Sequence, residues 1–331
     1  MRLARHYSPE GLEGARAPRT ARGELPLLME LRHGGRTEVV LRYELAGQHD
    51  WPVLIVCGGI SAGRHVLSSE GLPQAGWWEA QKRTFTRQRF RILSIDWIGA
   101  DGTIDVPIDP ADQAYAIAHV ASELGISKAS AFIGASYGGM VGMHFAASHP
   151  HRIGALLAIS AAAHSHPYSS ACRLLQRQAL VLGKSAGDPE AGVALARAMA
   201  MLTYRTAEEF AQRFAEPPQV NGTQVQVAAQ AYLNAHGSRH CRKMSSTAYL
   251  RLSESIDLHR IDAADIRVPC TFVGVNSDLL VPGADVQALA SSVSGASLHL
   301  LESKYGHDAF LKEADQVAAL VTHFLENLEN A

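Results

Sequence analysis

Ala131-Phe132-Ile133-Gly134-Ala135-Ser136-Tyr137-Gly138-Gly139-Met140 decides how this chain is to be folded. Its first three residues are apolar and end a short buried strand, while Gly139-Met140-Val141-Gly142-Met143-His144-Phe145 predicts a helix. The link between them is G-x-S-x-G, and strand, G-x-S-x-G, helix is the context of a nucleophile elbow. A serine held in a strained turn needs neighbours without bulky side chains, which glycine on both flanks supplies. Its hydroxyl then stands clear of the sheet at the positive end of the following helix, where developing negative charge is stabilised. The same five residues also arise as a glycine-rich turn with an incidental serine. Partners elsewhere in the chain must decide between the two.

Outward from this stretch, strands and helices alternate. Leu27–Arg32 and Glu38–Leu45 flank His33-Gly34-Gly35 and predict a hairpin at a sheet edge. Val53–Cys57 is a continuous apolar strand that runs into the glycine-rich turn Gly58–Gly63, and Phe90–Ile95 is the next strand. Pro110–Leu124 predicts a helix, with proline inside its start and Gly125 just past its end. Lys128–Ile133 enters the elbow and Leu156–Ser160 follows its helix. From His164 to Tyr249 the texture changes to long helical patterns, Ser170–Leu182 and Glu190–Leu202 among them, interrupted at Glu216-Pro217-Pro218 and without a convincing strand. Alternation resumes with strand Cys270–Gly274, helix Asp285–Val293, strand Ser297–Leu301 and helix Gln316–Leu328. The expected class is α/β, an α/β-hydrolase fold: a mostly parallel sheet flanked by helices. Its core would comprise residues 1–163 and 250–331, with 1–24 a loose arm and 164–249 a helical cap.

Composition narrows the function. The 331 residues are 47% hydrophobic and 19% charged, enough to bury a large core. A formal net charge of −2 gives no basic footprint for nucleic acid. No apolar run reaches membrane-spanning length, and the basic amino terminus lacks the apolar centre of a secretory signal. Cys57, Cys172, Cys241 and Cys270 show no C-x-x-C spacing, so reduced thiols in the cytoplasm are the expectation. No metal or permanently bound cofactor is expected.

An isolated serine is a weak nucleophile: it needs a base, and the base needs an orienting carboxylate. In this fold they follow in the order Ser, Asp, His, each beyond a strand end. Asp278 lies just past the strand Cys270–Gly274, and His307 follows the strand Ser297–Leu301 in a Gly-His pair. The chain has 16 histidines, but few are so placed. The expected triad is therefore Ser136, Asp278 and His307, with Asp285, where the next helix begins, the weaker candidate for the acid. The oxyanion hole takes the amide after the nucleophile and one from the first glycine loop, here Tyr137 and Ile60. Gly58–Gly63 matches neither G-x-G-x-x-G nor a lysine-ending phosphate loop.

Several separated stretches resemble the homoserine O-acyltransferase family. They are Gly76-Trp77-Trp78, Gly134–Met140, Leu174-Leu175-Gln176-Arg177-Gln178-Ala179, Leu195-Ala196-Arg197, Leu202-Thr203-Tyr204-Arg205, Ser277-Asp278-Leu279-Leu280-Val281-Pro282 and Gly306-His307-Asp308-Ala309-Phe310-Leu311. They run in family order from about residue 50 onward. The resemblance implies ping-pong transfer of an acyl group from acyl-CoA, by way of Ser136, to the hydroxyl of L-homoserine in methionine biosynthesis. It also implies that Arg197, with Tyr204 beside it, grips the substrate carboxylate, that Asp308 meets the substrate ammonium, and that the chain forms a homodimer through the cap helices. An arginine fork does match a carboxylate. Taken without the resemblance, Arg197 reads as a solvated helix residue, Tyr204 as a cap-core aromatic and Asp308 as a helix N-cap.

Departures from the family pattern bear on donor and acceptor. The elbow has Tyr137 where methionine is usual, Trp97–Asp109 is a short loop, Met199-Ala200-Met201 replaces the usual Gly-His pair before Leu202, and the glycine loop reads GGISAGRH. Serine as acceptor, acetyl-CoA as donor, and water as acceptor (an esterase or thioesterase) all remain open, as does a catalytically dead binding scaffold. Arg64, four positions beyond Ile60, tilts the expectation to succinyl-CoA, because a guanidinium at the acyl pocket would pair with a terminal carboxylate. An Arg64 pointing to solvent or holding a CoA phosphate would serve either donor alike.

Overall fold

The computed structural model describes residues 19–328. Strands β1 (Arg19–Leu31) and β2 (Gly35–Gly47) form a long antiparallel hairpin, followed by β3 (Val53–Cys57), α1 (Lys82–Arg87), β4 (Arg91–Ile95), α2 (Pro110–Glu123), β5 (Ala131–Ala135), α3 (Tyr137–Ser148) and β6 (Leu156–Ile159). A helical excursion comes next: α4 (Pro167–Ser185), α5 (Pro189–Tyr204), α6 (Ala207–Arg213), the small hairpin β7 (Gln219–Asn221) and β8 (Gln224–Gln226), α7 (Gln230–Cys241) and α8 (Ser246–Leu258). The chain closes with β9 (Cys270–Val275), α9 (Gly283–Ser292), β10 (Ser297–Leu301), α10 (Ala309–Lys312) and α11 (Ala314–Leu328).

Eight strands form one sheet in the order β1-β2-β4-β3-β5-β6-β9-β10. All pairs from β4 to β10 are parallel, and β2 joins β4 antiparallel. The centre of the sheet is dry because its strands are apolar on both faces: every residue of Val53–Cys57, Ala131–Ala135 and Leu156–Ile159 is buried. One face packs against α2, α3 and α9 through Ile117, Phe145 and Leu289; the other meets α1 and α11 through Phe85 and Phe324. Phe132 is fully buried beneath Phe145, and truncating it to alanine should cost about 3–5 kcal/mol. Among the described residues no helix is long and apolar enough to cross a membrane.

Three boundaries differ from expectation. Residues 1–18 of the expected arm lie outside the described residues, but Arg19 onward is paired strand, because Arg19–Leu31 matches Gly35–Gly47 residue for residue. The helical segment contains strands after all, β7 and β8, although they are short, solvent-exposed and paired only with each other. It also continues past Tyr249: α8 runs to Leu258 and packs on α4 and α5 as well as on α2. The buried face of α8, with Tyr249, Leu252 and Ile256 at helical spacing, holds that helix to its neighbours.

Candidate active site

Between β5 and α3 the chain turns so sharply that Ser136 adopts φ 56° and ψ −121°. Such backbone costs a non-glycine residue about 1–3 kcal/mol and persists only where its surroundings enforce it. Here the Ser136 N–H donates to the Ile159 carbonyl, and the Gly138 N–H to the Gly58 carbonyl, both at 2.8 Å. Glycine is required on either side. A Cβ at Gly134 would collide with the Gly138 carbonyl, and one at Gly138 with the Cys57 carbonyl.

Asp278 and His307 reach Ser136 from the ends of β9 and β10. Asp278 Oδ1 accepts from the amides of Leu280 (2.8 Å) and Val281 (3.0 Å), which fixes the carboxylate. Its Oδ2 accepts from His307 Nδ1 at 2.7 Å. That bond sets the tautomer and leaves Nε2 free to accept from the Ser136 hydroxyl, also at 2.7 Å. Both partners of Ser136 are buried. Burial by itself disfavours protonation of His307, but the Asp278 charge and hydrogen bond, aided by Asp308, outweigh it and raise its pKa; the Arg173 charge pulls the other way. Asp285 opens α9 and makes no hydrogen bond to His307.

The first glycine loop lies against the serine: a Cβ at Gly59 would sit 3.9 Å from Ser136 Oγ. Trp97 Nε1 donates to the Gly59 carbonyl at 3.0 Å and anchors the loop. The amides of Ile60 and Tyr137 donate to no acceptor among the described residues, so both are available to an oxyanion. The Tyr137 side chain points away into the interior, where its hydroxyl meets Ser255 Oγ of α8 at 2.6 Å and its ring packs edge-on to Trp97.

Above Ser136 is a cavity of about 210 Å³, floored by the sheet loops and roofed by α4, α5 and α8. Arg197, Tyr204 and Asp308 all line it. The Arg197 guanidinium lies 4.9 Å from the centre of the Tyr204 ring, and that ring stacks on His307 at 5.7 Å. Arg197 forms no ion pair among the described residues. Asp308 does: its Oδ2 is held by Arg205 Nη2 at 2.9 Å, and Arg205 also binds Glu209, so any ammonium would share Asp308 with a buried guanidinium.

Arg64 is the exception. It does not line the cavity; its amide and Nε turn to Asp96, 2.8 and 3.7 Å away. The donor expectation built on it therefore loses its structural basis. Among the lining residues that had no assigned role are Trp77 and Arg173. Trp77 Nε1 is buried with no partner among the described residues. Arg173 was hidden by its spacing, since arginines at 173 and 177 on one helix look like a solvated face.

Residues 52–314 match the alpha/beta hydrolase fold family. The chain is 47% identical to a homoserine O-succinyltransferase from Xanthomonas campestris pv. campestris over 92% of its length and 84% of the relative's. It is 30% identical to a serine O-succinyltransferase from Litchfieldella anticariensis, covering 91% of this chain and 97% of that one. In three dimensions it is similar to a homoserine O-acetyltransferase from Staphylococcus aureus, with TM-score 0.79 at 24% identity over 93% and 95% of the two chains.

Proposed function

The chain belongs to the homoserine O-acyltransferase family within the α/β hydrolases, and we propose that it carries an acyl group, succinyl by preference, from acyl-CoA to the hydroxyl of L-homoserine. Ser136 attacks the thioester carbonyl while His307 Nε2 takes its proton, and the amides of Ile60 and Tyr137 receive the negative charge of the tetrahedral intermediate. His307 then gives the proton to the departing CoA sulfur, leaving acyl-Ser136. In the second half-reaction His307 deprotonates the homoserine hydroxyl, which attacks the acyl-serine, and the proton returns to Ser136. Asp278 keeps the imidazole in its tautomer and stabilises the imidazolium.

One observation carries this reading beyond ester hydrolysis. An arginine without an ion-pair partner, Arg197, lies in the same roofed cavity as the serine, one aromatic ring away from the base. Hydrolysis has no use for such a group, whereas an amino-acid acceptor brings a carboxylate that fits its fork. Asp308, whose Oδ1 has no hydrogen-bond partner among the described residues, suits the ammonium of the same acceptor. Roofing by the cap, residues 164–258, favours the bound hydroxyl over water. The test is thiol release from succinyl-CoA with and without homoserine. Release that depends on homoserine and yields O-succinylhomoserine supports the transferase; equal release in both arms makes the chain a thioesterase, and none makes it a scaffold.

We place the protein in the cytoplasm, in methionine biosynthesis, as a homodimer. The dimer rests on α4 and α5, which expose Leu175, Leu182, Leu195 and Leu202, each more than half accessible. Light scattering on wild type and on Leu182→Glu/Leu195→Glu reads this directly; a monomeric wild type removes the dimer.

A further inference from the structure

Resting on the reading of the site as a transferase with an amino-acid acceptor, we propose that Glu209, acting through Arg205, is a positioning residue for that acceptor. It draws Arg205 off Asp308 and so leaves Asp308 the negative charge that holds the acceptor's ammonium. The placement comes from the corner between α5 and α6. Thr206 caps α6: its Oγ1 accepts from the Glu209 amide at 3.0 Å and donates to the Lys304 carbonyl at 2.6 Å. Lys304 lies three residues before His307, so the helix carrying Glu209 is fastened to the loop carrying the base and Asp308. Arg205, the C-cap of α5, stands between the two carboxylates.

Arg205 divides its fork. Nη2 donates to Asp308 Oδ2 at 2.9 Å, and Nη1 to Glu209 Oε1 and Oε2 at 3.0 and 3.1 Å. Its Nε is buried with no partner among the described residues. Burial opposes the guanidinium charge, but Asp308, Tyr232 and Glu209 outweigh it and raise the Arg205 pKa. The side chains of Arg205 and Glu209 are only 7% and 6% exposed, and neither lines the cavity, whereas Asp308 does. Two carboxylates around one guanidinium leave one negative charge in excess. Arg213 also reaches Glu209, at 3.0 Å, but its side chain is 42% exposed and water screens most of its charge. The excess therefore meets the cavity at Asp308. Were Arg205 paired with Asp308 alone, the pair would be neutral and an ammonium would gain little from it. Glu209 touches no substrate, yet it decides how much charge the acceptor meets.

The test compares two acceptors, L-homoserine and 4-hydroxybutanoate, which is homoserine without its amino group, each offered to enzyme acylated by succinyl-CoA. The ratio of their kcat/KM values reads the ammonium contact and cancels what both acceptors share. Glu209→Gln removes the charge and keeps the shape. The ratio should fall about tenfold, within the usual range for coupled neighbours, through a higher KM for homoserine, while acyl-enzyme forms at nearly the wild-type rate. Should Glu209→Gln not melt cooperatively, Arg213→Gln replaces it: it leaves Glu209 to Arg205 alone and should raise the ratio about twofold, as suits an exposed pair. A merely structural role would slow both acceptors alike. A ratio that is unchanged or moves the other way, or a wild type that takes the two acceptors equally, overturns the assignment. Calorimetric binding of the same two compounds to Ser136→Ala, with and without Glu209→Gln, separates the two claims. Homoserine binding that Glu209→Gln selectively weakens, with no transfer in the wild type, defeats the proposed function and leaves Glu209 standing. Transfer to homoserine with a ratio blind to Glu209 does the reverse, and neither transfer nor binding of homoserine defeats both.

Discussion

The floor and the roof of the cavity are built on different principles. On the floor, position is imposed by the main chain: a serine at φ 56°, two glycines that admit no Cβ, a carboxylate clamped by two amides. In the roof, position comes from side chains of packed helices: Arg197 over Tyr204, Tyr204 on His307, Arg173 and Arg177 on one aspartate. On the proposed mechanism the floor performs the acyl transfer, and the roof decides which acyl and which acceptor. Floor substitutions should abolish chemistry whatever the substrate; roof substitutions should change its partners. The following experiments try to break that division.

The largest effect belongs to Ser136→Ala. Removing a triad nucleophile typically costs about six decades in kcat, and no acyl adduct should form from any CoA thioester. The hydroxyl's loss should barely move the melting temperature, because the strained turn is held by the amides of Ser136 and Gly138 rather than by Oγ. An adduct on the alanine variant, seen by intact mass, would put the nucleophile elsewhere.

Next comes Asp278→Asn, expected to cost about four decades and to move the pH profile. In the wild type the folded pKa of His307 is raised, so its proton is held to a pH above the ordinary value of about 6.5. Stability gained from the imidazolium–carboxylate pair is thus complete below about pH 6.5 and lost as pH rises through the raised pKa. Activity runs the opposite way, since acylation needs the neutral base: its rate should climb with a midpoint above pH 6.5. With the carboxylate neutralised, burial dominates, and the midpoint of the residual activity should drop below that value. A midpoint that stays in place would break the link between floor geometry and base strength.

The same division explains what the sequence disclosed. Ser136, Asp278 and His307 each follow an apolar strand of legible length, and Gly134 and Gly138 betray a turn that tolerates nothing larger, so the floor can be read from one chain. The hairpin of β1 and β2 extends beyond its apolar residues because pairing, not hydrophobicity, sets its length. In the roof, a helix pattern gives a face but not the neighbour it meets. Arg64 was expected at the acyl pocket from its distance along the loop, yet Asp96 from the next strand end draws it aside. Arg173 carried no signal at all, because its meaning depends on Asp257, 84 positions away. Asp308 does line the cavity where the sequence reading put it, but its tie to Arg205 was not legible.

A smaller effect, confined to one half-reaction, is expected of Arg197→Lys. Lysine keeps the charge over Tyr204 but loses the planar fork. The KM for homoserine should rise about ten- to a hundredfold, in line with one or two lost charge-assisted hydrogen bonds, while acyl-enzyme still forms at nearly the wild-type rate. Equal damage to both halves would show that Arg197 holds the cap or the CoA instead of the acceptor.

The smallest expected effect probes the one covalent neighbour of the nucleophile that reaches the roof. Tyr137 offers its backbone amide as the proposed oxyanion donor, while its buried hydroxyl meets Ser255 of α8 at 2.6 Å. Tyr137→Phe removes that hydroxyl and strands the Ser255 oxygen, at a cost of about 1–3 kcal/mol. Ser255→Ala removes one partner of the tyrosine hydroxyl, which keeps its hydrogen bond with Gln113, and should cost less. In the double variant neither hydroxyl is left behind by the other, and Gln113 keeps its two bonds to the Ile98 backbone, so the losses should not add, and a coupling of about 1 kcal/mol should appear in the thermal or urea cycle. If the hydroxyl only fastens α8 to the sheet, acylation by acyl-CoA should proceed in Tyr137→Phe at close to the wild-type rate. A drop of a hundredfold or more with intact stability would mean that the roof sets the oxyanion amide through this bond, and floor and roof would no longer be separable.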